Sequence, residues 1–198
     1  MNEAKNSEMS PIIEQKNKVN LAGFNNSWYH PGAGAARRAL WYFINIFFFL
    51  NPLNPFSAFK VWLLKLFGAK VGVGVIIKPS VSIKYPWLLR LGSHCWIGEN
   101  VWIDNLVMVS IADQVVLSQG AMLLTGSHDY KKTNFDLIVG EIIIEEGAWI
   151  GAKAIVCPGV SCGTHSVLAA GSVATNNLAP YTIYQGNPAI AKRKRVMN

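Results

Sequence analysis

The sequence is short of charge. Asp, Glu, Lys and Arg together make up only 15% of its 198 residues, while hydrophobic residues make up 51%. That balance excludes the compositions that stay disordered and leaves ample material for a core. Cysteine is scarce too: Cys95, Cys157 and Cys162 are an odd number and form no C-x-x-C pair, which argues against a disulfide framework or a zinc knuckle. A reducing cytoplasm is the simplest compartment for such a chain. Met1 to Asn20 is polar and mixed in charge, unlike a secretory signal. The one strongly apolar run, Leu40 to Leu50, would span about 16 Å as a helix against about 30 Å of hydrocarbon, too short to cross a bilayer.

What charge there is has one dominant sign. The formal net charge is +7, so the protein attracts anions: nucleic acid, an anionic membrane surface or phosphorylated small molecules. No helix-turn-helix, zinc-finger or RNA-binding pattern is present, and the basic residues form no aromatic-interleaved face, so nucleic acid is set aside.

Residues 1–36 read as a polar, loosely ordered leader ending in Pro31-Gly32-Ala33-Gly34, and residues 37–68 as an amphipathic helical segment. Asn51-Pro52-Leu53-Asn54-Pro55 breaks that segment. A second helix follows, with Phe59, Trp62, Leu63, Leu66 and Phe67 on one stripe, Lys60 and Lys65 off it, and Gly68 as its stop. Two readings stay open for these helices. They pack against the main domain or a neighbouring subunit, or they form a peripheral membrane foot with Arg37, Arg38, Lys60 and Lys65 near lipid phosphates.

From Val71 a six-residue period takes over. Val71, Ile77 and Ile83 are followed, after a slip of two across Tyr85-Pro86-Trp87, by Leu91, Ile97, Ile103, Val109 and Val115. After a gap it returns as Ile144, Ile150, Val156, Cys162, Leu168 and Ala174. Gly72, Gly92, Gly98, Gly151 and Gly163 directly follow such slots. The pattern predicts a solenoid over 69–179, each hexapeptide a short strand plus a corner with the slot residue pointing inward. The gap in register, about 125–141, predicts an extended loop, and residues 180–198 read as a basic tail.

The stretch Ala148 to Arg195 resembles the end of the hexapeptide-repeat O-acetyltransferases, through its IGA, PGV, AAGSV, PY and GNPA elements. Lys78-Pro79, Ile83-Lys84-Tyr85-Pro86-Trp87, Trp102-Ile103-Asp104-Asn105 and Thr125-Gly126-Ser127-His128-Asp129-Tyr130 are similar to the colanic acid biosynthesis acetyltransferases in particular. The resemblance covers about residues 50–195. It implies a left-handed parallel β-helix in homotrimers, with acetyl-CoA as co-substrate in the groove between adjacent prisms and no metal. The implied acceptor is a sugar hydroxyl, in exopolysaccharide, capsule or O-antigen precursors, free or lipid-linked.

Within that resemblance His128 matches the catalytic base. An alcohol is a poor nucleophile at neutral pH, and an imidazole can take its proton and pass it to the departing thiolate. His30 lies in the leader, and His94 and His165 at probable corners. Asp104 matches a residue that binds the acceptor or positions the reacting groups; the plainer reading is a corner carboxylate accepting backbone hydrogen bonds. Asp129 is a weaker candidate for orienting His128. Trp149 matches an aromatic beside the pantetheine arm, or is an interface Trp. Ala152, Ala170, Gly171, Thr175, Asn176 and Arg193 match the CoA-binding positions, Arg193 toward phosphate. Two positions depart from the pattern, Ile190 and Asn176 standing where basic residues are common. A non-catalytic solenoid scaffold is the structural alternative. A zinc enzyme on the same fold would need three converging histidines, and His94, His128 and His165 are isolated in sequence.

Overall fold

A computed structural model describes residues 18–197. From Lys70 onward the chain winds as a left-handed parallel β-helix of five coils and the start of a sixth. Coil 1 is built from Lys70–Val71, Ile76–Ile77 and Ser82–Ile83, one short strand on each of three faces. Face A stacks Val71, Leu91, Ile111, Ile144 and Cys162; face B stacks Ile77, Ile97, Leu117, Ile150, Leu168 and Tyr184; face C stacks Ile83, Ile103, Leu123, Val156 and Ala174. Most of these side chains are fully buried, so the three ladders enclose one continuous apolar core.

The corners explain the glycines. A Cβ on Gly151 would lie 2.6 Å from Ala170 N one coil above, so the rung spacing itself forbids a side chain there. His94 and His165 sit at corners with φ of 57° and 55°.

One part of the six-residue reading is corrected. Val109 pairs with Leu89 and Ile142, and Val115 is the corner residue before the face B strand Val116–Leu117. The inward slots of coil 3 are therefore Ile111, Leu117 and Leu123. The two-residue slip at Tyr85-Pro86-Trp87 is repeated one coil higher at Asn105–Val107, and both valines stay buried, which hides the shift.

Both slips, and the long insertion 125–141, fall at the same corner, between faces C and A. Buried polar side chains hold this corner open. Asn105 Nδ2 donates to Tyr85 O (2.6 Å) and Leu88 O (3.0 Å), and its Oδ1 accepts from Tyr85 N (3.0 Å). Thr125 Oγ1 donates to Asp104 O at 2.9 Å and accepts from Leu106 N at 2.8 Å. Extra residues at a corner leave peptide groups with no rung to join, and these side chains satisfy them.

Below coil 1 the helices close the prism. α1 (Ala35–Ile44) runs into a wider π turn, Asn45–Phe49, and α2 (Ser57–Leu66) follows. Trp41 Nε1 donates to Ile83 O at 2.8 Å, and Asn45 Oδ1 accepts from Ile83 N at 3.3 Å. Ser57 Oγ accepts from Ile77 N, and Lys60 Nζ donates to Lys78 O at 2.9 Å. The lowest strands of faces B and C thus find partners in the helices.

The stripe expected on α2 is rotated. Lys60, Leu63, Leu64 and Phe67 face inward, while Phe59, Trp62 and Leu66 are exposed. The free Lys78 carbonyl draws Lys60 inward, which overrides the hydrophobic pattern.

Candidate active site

The segment just before α1 lies against the C–A corner. Asn20 N donates to Thr133 O (2.8 Å), Tyr29 Oη to Leu106 O (2.7 Å), and Trp87 Nε1 to Pro31 O (2.6 Å). Residues 20–31 therefore run along the corner from the loop down to coil 1, where the sequence suggested a loose leader. The first seventeen residues lie outside the described part.

His128 closes the strand Gly126–His128, which pairs antiparallel with Leu137–Val139 to make the inserted loop a hairpin. Its ring stacks on Phe135 (centroids 4.8 Å, interplanar 18°), with Phe24 on the leader 5.8 Å away. His128 Nδ1 is 2.8 Å from Phe135 O. A carbonyl only accepts, so Nδ1 carries the proton, and in the neutral ring Nε2 is left with a lone pair. Asp129 does not orient the ring; its Oδ1 accepts from Lys131 N at 3.1 Å instead.

Asp104 ends the face C strand of coil 2, at the same corner and one coil below the base of the His128 hairpin. Lys84 Nζ lies 2.8 Å from Asp104 Oδ1, close enough for an ion pair but outside hydrogen-bonding geometry. The corner's backbone groups are served by Asn105 and Thr125, so the plain corner-carboxylate reading of Asp104 is corrected: its neighbour took that task. Burial chiefly, then the charges of Tyr85 and Asp104, raises the Tyr29 phenol above its ordinary pKa, with Arg38 opposing. Tyr29, Arg38, Lys84, Tyr85 and Asp104 therefore share one neighbourhood.

The remaining predicted residues occupy other parts of the prism. Trp149 stands exposed on face B, its Nε1 donating to Ser118 Oγ at 2.8 Å. Ala152, Ala170 and Gly171 line the B–C corner of coils 4 and 5 just above it, and Gly171 opens to empty space. Thr175 and Asn176 lie across face C, on the C–A corner, with Asn176 Nδ2 donating to Thr175 Oγ1 at 3.3 Å.

Arg193 lies opposite Ile183 in a hairpin of Thr182–Gly186 and Ala189–Lys194 that extends face B. The basic run is divided. Lys194 Nζ donates to Thr182 Oγ1 (3.1 Å), and Arg195 Nη1 to Gly147 O (3.0 Å) and His165 O (3.1 Å), whereas Lys192 and Arg193 make no side-chain hydrogen bond among the described residues.

One chain therefore brings together His128 and Asp104 at one corner, and Trp149, Ala152, Ala170 and Gly171 at another. It does not bring the two groups together. Sequence reasoning missed Phe24, Tyr29, Asn105 and Phe135. Asn105 was visible inside the Trp102-Ile103-Asp104-Asn105 element, whereas the leader aromatics carry no periodic signal.

A β-helix with one inserted hairpin at a single corner defines a hexapeptide-repeat architecture, and comparison with known proteins agrees. Residues 141–176 match the family model described as the hexapeptide repeat of succinyl-transferase. WcaF of Escherichia coli K12, named as a colanic acid biosynthesis acetyltransferase, is 36% identical over 176 residues, covering 89% of this chain and 97% of its own. A galactoside O-acetyltransferase of the same organism is 30% identical over 129 residues, 64% of either chain. Among solved structures, the hexapeptide-repeat acetyltransferase VCA0836 of Vibrio cholerae in complex with acetyl-CoA superposes with a TM-score of 0.73 at 26% identity, covering 84% of this chain and 92% of that one. The chain belongs to the hexapeptide-repeat acetyltransferase family.

Proposed function

We propose that this protein transfers an acetyl group from acetyl-CoA to a sugar hydroxyl in the biosynthesis of a surface polysaccharide, with His128 as general base. The observation that carries this reading is the Nδ1 contact of His128 with Phe135 O, 2.8 Å long, which leaves Nε2 as the free acceptor. Nε2 takes the hydroxyl proton while the sugar oxygen attacks the thioester carbonyl carbon. The tetrahedral oxyanion then collapses, the C–S bond breaks, and the proton passes from Nε2 to the CoA thiolate. Asp104 binds or positions the acceptor, a hydroxyl donating to the carboxylate that faces Lys84.

Homotrimers complete the site on this reading. The B–C corner carrying Ala152, Ala170 and Gly171 and the C–A corner carrying His128, Thr175 and Asn176 lie at opposite ends of face C. They can line one groove only when two prisms stand side by side. Trp149 would flank the pantetheine arm, and Arg193, with no other partner among the described residues, would meet phosphate. The enzyme works in the cytoplasm, with its helical cap at the membrane surface. No helix among the described residues is long and apolar enough to cross a membrane, while Phe43, Phe47, Leu53, Phe56 and Trp62 are exposed on the cap. Of the four cations first considered for lipid contact, Lys60 is buried and Arg37 donates to Phe67 O at 2.6 Å, leaving Arg38 and Lys65.

Thiol release from acetyl-CoA, measured against a panel of glycans and lipid-linked oligosaccharides, tests the reading. A glycan should stimulate release, and His128→Ala should lower kcat by about 10²–10⁴-fold while CoA binding persists. If neither protein binds CoA nor responds to any glycan, the non-catalytic scaffold reading replaces it.

A further inference from the structure

A cleft of about 550 Å³ lies between α1 and the face C strands of coils 1 and 2, away from the acetyl-CoA positions. Its two ends differ in chemistry. At the acceptor end stand Asp104, Lys84, Tyr85 and Arg38; at the other, Ile46 and Leu50 lead out onto the helical cap. Leu50 is half-exposed and borders the exposed aromatics of that cap. Lys84 is paired with Asp104, but Arg38 makes no hydrogen bond or ion pair with its side chain among the described residues. The cleft therefore carries one uncompensated cation at its polar end.

The surroundings reinforce that sign. From Lys18 to Gly98 the sequence contains no Asp or Glu, although Lys18, Arg37, Arg38, Lys60, Lys65, Lys70, Lys78, Lys84 and Arg90 all fall within it. The cap and the first coil are thus wholly without acidic side chains, while the upper coils carry Glu99, Asp113, Glu145 and Glu146. Such segregation gives one end of the prism a positive field beside an apolar surface. A free neutral sugar would use neither the unpaired arginine nor the apolar exit. An amphiphile with an anionic linkage between sugar and hydrocarbon uses both.

We propose that this cleft seats the phosphate-bearing end of a lipid-linked sugar acceptor, with Arg38 on the phosphate and the hydrocarbon chain leaving over Ile46 and Leu50 into the membrane under the cap. The sugar then extends past Tyr85 toward Asp104 and His128. The inference rests on the acetyltransferase reading for what happens to the sugar, but the binding it describes needs no acetyl-CoA.

Vesicle flotation of the full chain without acetyl-CoA tests it. Phosphatidylcholine vesicles carrying a small fraction of polyprenyl phosphate are compared with vesicles of equal charge made with phosphatidylglycerol. The polyprenyl phosphate vesicles should bind about tenfold tighter, as expected for one desolvated charge-assisted contact plus a seated chain. Arg38→Gln and, separately, Leu50→Ser should abolish that preference, and His128→Ala should keep it. Both altered side chains are on the surface of the cap, and circular dichroism checks that the fold survives. Equal binding to both kinds of vesicle would overturn the proposal in favour of a plain anionic surface. A preference that survives both variants would overturn it too. If the preference holds but no acetyl transfer is found with any acceptor, the cleft assignment stands and the acetyltransferase reading falls.

Discussion

Phe24 and His128 lie more than a hundred positions apart in sequence, yet their rings stand 5.8 Å apart, tilted by 59°. With Phe135 stacked on the same imidazole at 4.8 Å, the ring is held by aromatic contacts from two separate segments. Aromatic pairs contribute about 0.5–1.5 kcal/mol beyond their area. Phe24→Ala should therefore lower kcat by about two- to tenfold through a less well-held base, with KM for acetyl-CoA nearly unchanged. Phe24→Tyr should restore most of the rate. A loss confined to thermal stability, with kcat intact, would make Phe24 merely structural.

Asn105 offers a test of the corner. Replacing it with Ala strands Tyr85 N and Leu88 O in a buried site and leaves Tyr85 O with Leu88 N as its partner. At about 1 kcal/mol or more for each abandoned group, the loss should reach about 2 kcal/mol in urea unfolding. Asn105→Asp should be nearly as costly, because a carboxylate cannot donate to the two carbonyls.

Lys60 should leave a mark on the pH dependence of stability. It is fully buried beneath coil 1, and desolvation lowers its pKa from 10.5 to about 8. Between those values the unfolded chain holds a proton that the folded chain has lost, so stability from this group rises with pH across about 8 to 10.5. Below pH 8 both states are charged and the burial penalty is constant. Melting curves of the wild type and Lys60→Met should show the wild type gaining on the variant through that window. A constant gap between the two would contradict a depressed lysine.

Lys192 and Arg193 are the basic residues of their run left to meet a ligand, since Lys194 and Arg195 are spent on the prism, and Arg193 is the one at the proposed CoA position. Arg193→Ala should raise KM for acetyl-CoA by about tenfold with little change in kcat, the pattern of a contact made equally in ground and transition states. Arg195→Ala should act the other way, costing stability through Gly147 O and His165 O and leaving KM alone.

The solenoid was legible because its repeat is local: one inward slot and one cramped corner in every six residues. Its phase was harder to read. Val109 and Val115 are as apolar and as buried as true slots, so hydrophobicity could not show that the two-residue slip at Tyr85 recurs at Asn105. On α2 the pattern placed Leu63 and Phe67 correctly but pointed to a face rotated from the true one, because a single backbone acceptor, Lys78 O, draws Lys60 inward. The leader was illegible for a different reason. Its contacts with Thr133, Leu106 and His128 join segments far apart in sequence, and its aromatic residues follow no period. The loop that carries His128 followed from the gap in register, whereas its sharing a corner with Asp104 and the carbonyl that sets the His128 tautomer did not.

A stack of coils has no intrinsic stopping point, since the last rung of one molecule could always template the first rung of the next. Here both termini of the stack carry stoppers. Trp41, Asn45, Ser57 and Lys60 occupy the peptide groups at the bottom, and Leu178 and the Thr182–Lys194 hairpin overlie faces A and B at the top. The outermost strand of that hairpin bears Lys192, Arg193 and Lys194, so approaching copies repel one another there. End-to-end growth into a filament is thus opposed on two of the three faces at each pole, among the described residues, whereas the flank of the prism carries no such stopper.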